Sequence, residues 1–271
     1  MAKISDTERS NYTEKTKPYQ DAIDVILKRE KDILVLIQGN PGDAALKQLD
    51  LVEEMLNLAS YYIILSGVSL SMLKVKNEDA LNDGRKALYK GVIYLEELVG
   101  NYVDAAFADY EEKLAGLSSL DAVRRYLLIR KMGFSINLLE YAYGDNTKWK
   151  WSFVELEGRY AVVAKNILDL RNAVANTDPR SPDYEPTVFH LRLIKKLFSQ
   201  AADRYREKYE LSTNRIDDFR QGISFLSALR RIHIVLGNRE EAEILKKKLD
   251  IWSAKLEKDV TKKSLLARKK G

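Results

Sequence analysis

The chain has 271 residues, of which 31% are charged and 45% hydrophobic, a balance typical of a folded protein with one large or two smaller cores. It contains no cysteine, which excludes disulfide scaffolds, thiolate metal sites and cysteine nucleophiles. The net charge of +5 belongs to the basic tail, residues 255–271, which holds seven Lys or Arg and only two acidic residues, so the remainder of the chain is neutral.

The first half of the chain shows helical periodicity without the alternation of a half-buried strand. The polar N-terminus has no apolar run typical of a secretory signal, so we expect a cytoplasmic protein. A first helix is predicted from Pro18, a residue favoured at the first helical position, to Gly39. A second is predicted over residues 44–74. Its apolar part, residues 58–73, contains four serines and falls short of the ~20 apolar residues that span a bilayer, so we expect a buried helix and no transmembrane segment.

The next helices carry boundary signals in the sequence. Asn77 predicts the cap of a third helix that ends near Gly100, and a shorter helical piece follows it. Ser118 is followed three residues later by Asp121, which is close to a capping box. This pair predicts a helix that begins there and ends at Gly144.

One long helix is predicted over residues 147–176. Its apolar face is formed by residues spaced three or four apart, namely Phe153, Leu156, Tyr160, Val163, Ile167 and Leu170. Residues 177–186 hold three of the five prolines and cannot be helical throughout. We therefore predict an N-terminal helical bundle (residues 1–176), a Pro-rich linker (177–186), C-terminal helical hairpins (187–254) and the basic tail (255–271).

The predicted fold class is all-α, because long helices joined by short polar turns place neighbours antiparallel. Two architectures fit this pattern, an antiparallel helical bundle or a stack of TPR-like helical hairpins. Either would contain about eight or nine helices.

Residues 226–249 resemble one unit of the tetratricopeptide repeat (TPR) family. Gly237 stands in the turn and Ala242 at the small position where the two helices cross. Arg230 and Lys246 depart from the family pattern, which has a small residue and an aromatic residue there. The resemblance implies stacked hairpins that bind a partner segment, and a generic helical bundle is the alternative.

A second resemblance concerns the opening of the chain. Residues 12–33, YTEKTKPYQDAIDVILKREKDI, look like helical proteins of spirochaetes. Some TPR-containing proteins of that group are associated with the periplasmic flagellar apparatus. The resemblance implies a flagellar-apparatus-associated TPR-like protein as one alternative function.

The sequence contains no recognisable catalytic constellation. His190 and His233 each lie among apolar neighbours, and neither belongs to a metal-binding motif. Phosphate-binding loops and nucleophile elbows are absent. We therefore predict that the protein is not an enzyme and has no catalytic residue, cofactor or metal.

We expect a non-enzymatic scaffold or adaptor that binds protein partners, or a second copy of itself, through a groove or face between helical hairpins. The candidate contact residues combine tryptophans, the TPR-like segment and the tail, namely Trp149, Trp151, Arg230, His233, Lys262, Lys263, Arg268, Lys269 and Lys270. The alternative is binding of nucleic acid or an anionic surface by the tail together with basic pairs. These pairs are Arg124–Arg125, Arg130–Lys131, Lys195–Lys196 and Arg230–Arg231. In the alternative interpretation of the tail itself, it is a solvated, frayed terminus. A third class of function is an enzyme whose helical active site carries no recognisable motif.

Overall fold

The computed structural model of the protein describes residues 5–39, 44–144 and 147–268. This described part consists of nine α-helices with short 3₁₀ and π turns, and it contains no strand. The predicted all-α helical bundle is therefore confirmed.

Contacts between Cα atoms divide the chain into two compact units. Unit 1 comprises residues 1–100 and 113–150. Unit 2 comprises residues 101–112 and 151–271. Each unit therefore consists of two stretches that are separated in the sequence.

Unit 1 is built around its second helix. Its α-helices are α1 (Asp6–Gly39), α2 (Ala44–Leu73), α3 (Glu78–Val99) and α4 (Ala122–Tyr143). Helix α2 packs against the other three. Gly91 of α3 allows a close approach, because a Cβ atom there would lie 3.3 Å from Cβ of Met55 on α2.

The first helix begins at Asp6, so the predicted start at Pro18 is wrong. Ser5 and Glu8 form a reciprocal cap: the Ser5 amide donates to Glu8 Oε2 at 2.8 Å, and the Glu8 amide donates to Ser5 Oγ at 3.2 Å. Pro18 lies in the helix interior, where its ring removes one backbone hydrogen bond without ending the helix.

Helix α2 is long and apolar enough to cross a membrane, by length and composition alone. One third of its most apolar 18-residue window is buried in the structure. The buried side chains include Leu51, Val52, Met55 and Leu56. The prediction that this helix is buried is thus confirmed only in part, since the helix has one face in the core and one exposed face.

Unit 2 is held together by aromatic side chains. Its helices are α5 (Lys150–Asn166), α6 (Leu170–Ala175), α7 (Tyr184–Lys208), α8 (Ile216–Val235) and α9 (Arg239–Arg268). Helix α8 packs between α7 and α9. Phe225 of α8 stacks on Tyr205 of α7 with ring centroids 5.6 Å apart, and Phe219 lies 5.8 Å from Trp252 of α9. Such pairs stabilise a core beyond the area they bury.

The single helix predicted over residues 147–176 is interrupted. Helix α5 ends at Asn166, and Asp169 begins α6 by accepting hydrogen bonds from the amides of Arg171 and Asn172 at 3.0 and 3.1 Å. The predicted apolar face is buried on both sides of this break, including Ile167. The periodicity was preserved across the break, which is why it did not reveal the new cap.

The Pro-rich segment 177–186 forms turns until α7 begins at Tyr184. The division into compact units differs from the predicted domains, because this segment lies inside unit 2. Contacts join the helices before and after it. The Arg204 guanidinium of α7 donates to Glu157 Oε1 of α5 at 2.7 Å.

The TPR-like segment forms the α8–α9 hairpin. Gly237 adopts a left-handed φ of 74° in the turn, and Ala242 is buried where the helices meet. Helices α8 and α9 have 20 and 30 residues. Both exceed the roughly 15 residues available to each helix of a 34-residue repeat. The local turn is as predicted, whereas membership of the TPR family stays a prediction.

Candidate partner-binding surface

Helix α4 presents a row of exposed apolar side chains along its whole length. The row, which we call the α4 stripe, consists of Val123, Leu127, Phe134, Leu138 and Tyr141. The side chains of Phe134 and Tyr141 are 62% and 87% exposed. At 3.6 residues per turn, this spacing keeps the stripe within about 100° of the helix circumference.

The opposite face of α4 is equally apolar and is buried in unit 1. Its core residues are Leu128, Ile129, Met132, Ile136 and Leu139. A helix that is apolar on both faces normally lies inside a protein. Because only one face of α4 is covered within the described chain, the stripe has the composition of a packed surface without an intramolecular partner.

The charge beside the α4 stripe is positive. Arg130 lies within the stripe and Arg124 at its edge, and neither guanidinium makes an ion pair with any described residue. Lys131 is different, since it pairs with Glu53 of α2. Arg125 donates to the backbone carbonyls of Leu117 and Leu120, both at 2.9 Å. Two exposed cations are therefore available to a partner.

Trp149 and Trp151, the two tryptophans predicted to contact a partner, are both half-buried. Trp149 belongs to unit 1, where the Arg85 guanidinium lies 4.1 Å from its ring centroid. This cation–π contact fixes the ring against the protein. Trp151 belongs to unit 2. Neither ring is part of the α4 stripe.

Arg230 and His233 lie on α8, one turn apart. Arg230 is half-buried, and its Nε has no hydrogen-bond partner in the described part of the chain. His233 is buried; burial first, and then the positive charge of Lys195, lower its pKa, while Glu241 opposes this. The imidazole is consequently neutral at pH 7 and offers little charge to a partner.

The basic tail is helical as far as Arg268, because α9 continues through it. Lys263 donates to the backbone carbonyl of Asn214, whereas Lys262 is exposed and has no partner among the described residues. The side chain of Arg268 and the residues Lys269 and Lys270 lie outside the described residues. The described part of the tail is thus a continuation of α9, and a solvated, frayed end stays a prediction.

The first part of the tail is attached to unit 2 by polar contacts. Lys255 forms an ion pair with Glu210, and the Tyr209 hydroxyl donates to Asp259 Oδ2 at 2.8 Å. Burial, followed by this hydrogen bond to Asp259, raises the pKa of Tyr209 to about 12. Several of the tail's charges are thus used within the protein.

The α4 stripe was not predicted from the sequence, although two basic pairs on the same helix were. The run Leu127–Leu128–Ile129 was a usable signal, since three consecutive apolar residues on a helix must point to more than one face. Which of the two apolar faces is covered depends on the neighbouring helices and cannot be read from α4 itself.

Metal coordination has no candidate within the described ranges, where no three His, Asp or Glu side chains are grouped closely enough to hold an ion. His190, one of the two histidines, is buried, with its Nε2 2.9 Å from the carbonyl oxygen of Ala164.

Comparison with known proteins identifies a family. The model of the TP0443 family, which has a Treponema name, matches residues 8–260. This agrees with the predicted resemblance to spirochaete proteins. No curated protein and no solved structure matches the chain.

Proposed function

The chain belongs to the TP0443 family, and we propose that it is a non-enzymatic helical adaptor that binds an amphipathic helix of a partner protein along the α4 stripe. The mechanism is helix pairing, in which apolar side chains of the partner pack between those of α4. In this proposal, the α4 stripe is the surface through which the predicted scaffold binds its partner.

One observation supports this proposal above all others: α4 has two apolar faces and only one is covered. The apolar side chains of the stripe stand at positions 123, 127, 134, 138 and 141, which keeps them on one side of the helix as in a helix–helix seam. Arg130 lies on the same side, between the second and the third of them. Aromatic residues near the end and centre of that seam, Tyr141 and Phe134, are the residue types that contribute most to binding at interfaces.

The charges indicate that the partner helix is acidic beside its apolar seam. Arg124 and Arg130 would each gain an ion pair with Asp or Glu on such a helix. A second copy of the chain fits less well. Because Arg130 lies near the middle of α4, two copies aligned along this helix would bring like charges together in either direction.

The remaining predicted functions stay predictions. The TPR-like array would need further hairpins of repeat length, and the described helices are longer. A flagellar role is in keeping with the Treponema name of the family, which states no function. Nucleic-acid binding would depend on the tail, where Lys255 and Lys263 already have partners within the protein.

Site-specific photo-cross-linking in the native cell tests the proposal. A photoreactive p-benzoylphenylalanine replaces Phe134 in the full-length chain, and mass spectrometry identifies the cross-linked peptide. We expect a protein segment with apolar residues at helical spacing and acidic flanks. Reversal of charge by Arg124→Glu with Arg130→Glu should reduce the cross-link by about tenfold, because it removes the complementary charges.

The same photoreactive residue at Val35 of α1, which is also highly exposed, provides the matched control. This position should not give the same cross-linked segment. Cross-links from position 134 only to a second copy, or no cross-link to any protein, would contradict the proposal. So would a cross-link whose yield is unchanged by the double charge reversal.

A further inference from the structure

A second candidate site, independent of the α4 stripe, lies inside unit 2. It is a cavity of about 420 Å³ bordered by α5, α6, α8 and residues 105–107. Its apolar lining includes Phe107, Leu170, Val174, Ala228, Ile232 and Val235. Volume and lining are those of a small-molecule site.

The polar side chains that line this cavity are all cationic: Lys165, Arg171 and Arg231. Two of them are already neutralised. Arg231 donates from Nε to Asp104 Oδ1 at 2.8 Å. Arg171 pairs with both carboxylate oxygens of Glu111, at 2.8 and 3.0 Å.

Lys165 has no such partner. It is 2% exposed, and its ammonium group makes no hydrogen bond or ion pair with any residue in the described part of the chain. Its Nζ lies 4.9 Å from the ring centroid of Tyr110. Burial first, and then the nearby Arg231, lower the pKa of Lys165 to about 8, and Asp104 opposes this. Because Asp104 is already paired with Arg231, Lys165 has no ion pair of its own, and a buried charge in that position is costly.

Tyr110 is the aromatic neighbour of Lys165 and is not itself a lining residue of the cavity. Its side chain is 1% exposed, and its hydroxyl has no hydrogen-bond partner among the described residues. Buried hydroxyl groups are normally satisfied. Of these two neighbouring side chains, Lys165 lines the cavity, and its ammonium group, which has no hydrogen bond or ion pair to any described residue, indicates a ligand that supplies an acceptor there.

We propose that this cavity binds a small apolar monocarboxylic acid, with its carboxylate on the Lys165 ammonium and its hydrocarbon part along Phe107, Val174 and Ile232. A single negative charge balances the one cation that lacks a partner, since Arg171 and Arg231 have theirs. A doubly charged phosphate would leave negative charge uncompensated in an apolar cavity.

The size of the cavity defines a probe. At about 30 Å³ for each water-sized group, the cavity accommodates roughly fourteen non-hydrogen atoms. Dodecanoate is of this size. We expect isothermal titration of the full-length protein to show saturable binding of dodecanoate, at least about tenfold tighter than of 1-dodecanol, because only the acid forms a charge-assisted hydrogen bond.

The variant Lys165→Met tests the position of the carboxylate while keeping the volume of the side chain. It should bind dodecanoate about tenfold more weakly and should retain or raise the melting temperature, because it removes an uncompensated buried charge. The control Lys262→Met, at an exposed lysine of the same unit, should leave dodecanoate affinity unchanged. A second variant, Val174→Trp, fills the cavity from a half-exposed position and should also abolish binding.

Several results would overturn the proposal. Equal affinity for 1-dodecanol and dodecanoate would show that the head group is not recognised. Tighter binding of dodecyl phosphate than of dodecanoate would exclude the monocarboxylate. If Lys165→Met is folded and binds dodecanoate as tightly as the natural protein does, Lys165 does not hold the acid. None of these results depends on the partner of α4.

Discussion

At the scale of single residues, Glu30 and Lys165 are two buried charges with opposite surroundings. Glu30 of α1 accepts from Lys90 at 2.9 and 3.0 Å and from the Tyr94 hydroxyl at 2.7 Å. Burial and the Glu30 contact raise the pKa of Tyr94. Lys165 is as deeply buried but forms no hydrogen bond or ion pair with any described residue; the Tyr110 ring lies beside it, and the nearby Asp104 is already paired with Arg231. The first charge is satisfied by the fold, and the second is left for a ligand.

The lowered pKa of Lys165 predicts how its contribution to stability varies with pH. The charged groups around it are Asp104, Arg231 and Arg171, and the Tyr110 ring lies beside it. Between about pH 8 and pH 10.5 the unfolded chain keeps the lysine proton that the folded chain has lost. The free energy of unfolding should therefore rise with pH across this window by about 3 kcal/mol from this group alone.

Urea denaturation at several pH values, compared between the natural protein and Lys165→Met, isolates this contribution. Other lysines and tyrosines titrate in both proteins and cancel in the difference. The advantage of Lys165→Met at pH 8 should shrink as the pH approaches 10.5. A difference that is constant with pH would mean that Lys165 titrates at its ordinary value.

At the scale of helices, close contacts depend on glycines whose roles differ. Gly222 of α8 faces α7, and a Cβ atom there would lie 3.0 Å from the carbonyl oxygen of Ala202. Gly67 of α2 has no atom within 4 Å of the equivalent point. The first glycine allows two helix axes to approach, whereas the second only adds freedom to the unfolded chain.

The two glycines give a matched pair of substitutions with opposite expected signs. Gly222→Ala should destabilise the protein by about 1–3 kcal/mol, because α7 and α8 must move apart. Gly67→Ala should stabilise it by about 0.5–1 kcal/mol through better helix propensity. Urea denaturation measures both, and equal effects of the two substitutions would show that Gly222 does not set the helix spacing.

Helix ends were predictable where a cap residue acts locally. Asn77 caps α3, its side chain accepting from the Ala80 amide at 3.0 Å, and Gly144 ends α4. Helix α4 itself is capped by Asp121 and not by Ser118, because the Asp121 carboxylate reaches the Arg124 amide at 2.7 Å. Propensity alone could not choose between two capping residues that stand three positions apart.

At the scale of the whole chain, each unit depends on residues that are distant in sequence. Unit 2 takes up residues 101–112, from which Asp104 pairs with Arg231 of α8. Ser227 of α8 donates to the same carboxylate at 2.7 Å. A boundary drawn from proline content cannot detect such contacts, because they join positions more than a hundred residues apart.

A protease site introduced within residues 177–183 tests the organisation of unit 2. After cleavage, the two pieces should elute together in size-exclusion chromatography, because α5 and α7 remain packed through contacts such as Arg204–Glu157. They should separate in urea, which also verifies that cleavage is complete. Separate elution without denaturant would instead support a linker between independent domains.

The sequence by itself determined the all-α class, most helix positions and the turn at Gly237, since periodicity and capping act over a few residues. It also located the excess positive charge in the tail. Only the tertiary structure decided which face of α4 stays uncovered and which lysine is buried beside a cavity. Burial is set by neighbours that are remote in sequence, so identical side chains such as Lys165 and Lys262 acquire different chemistry from their surroundings.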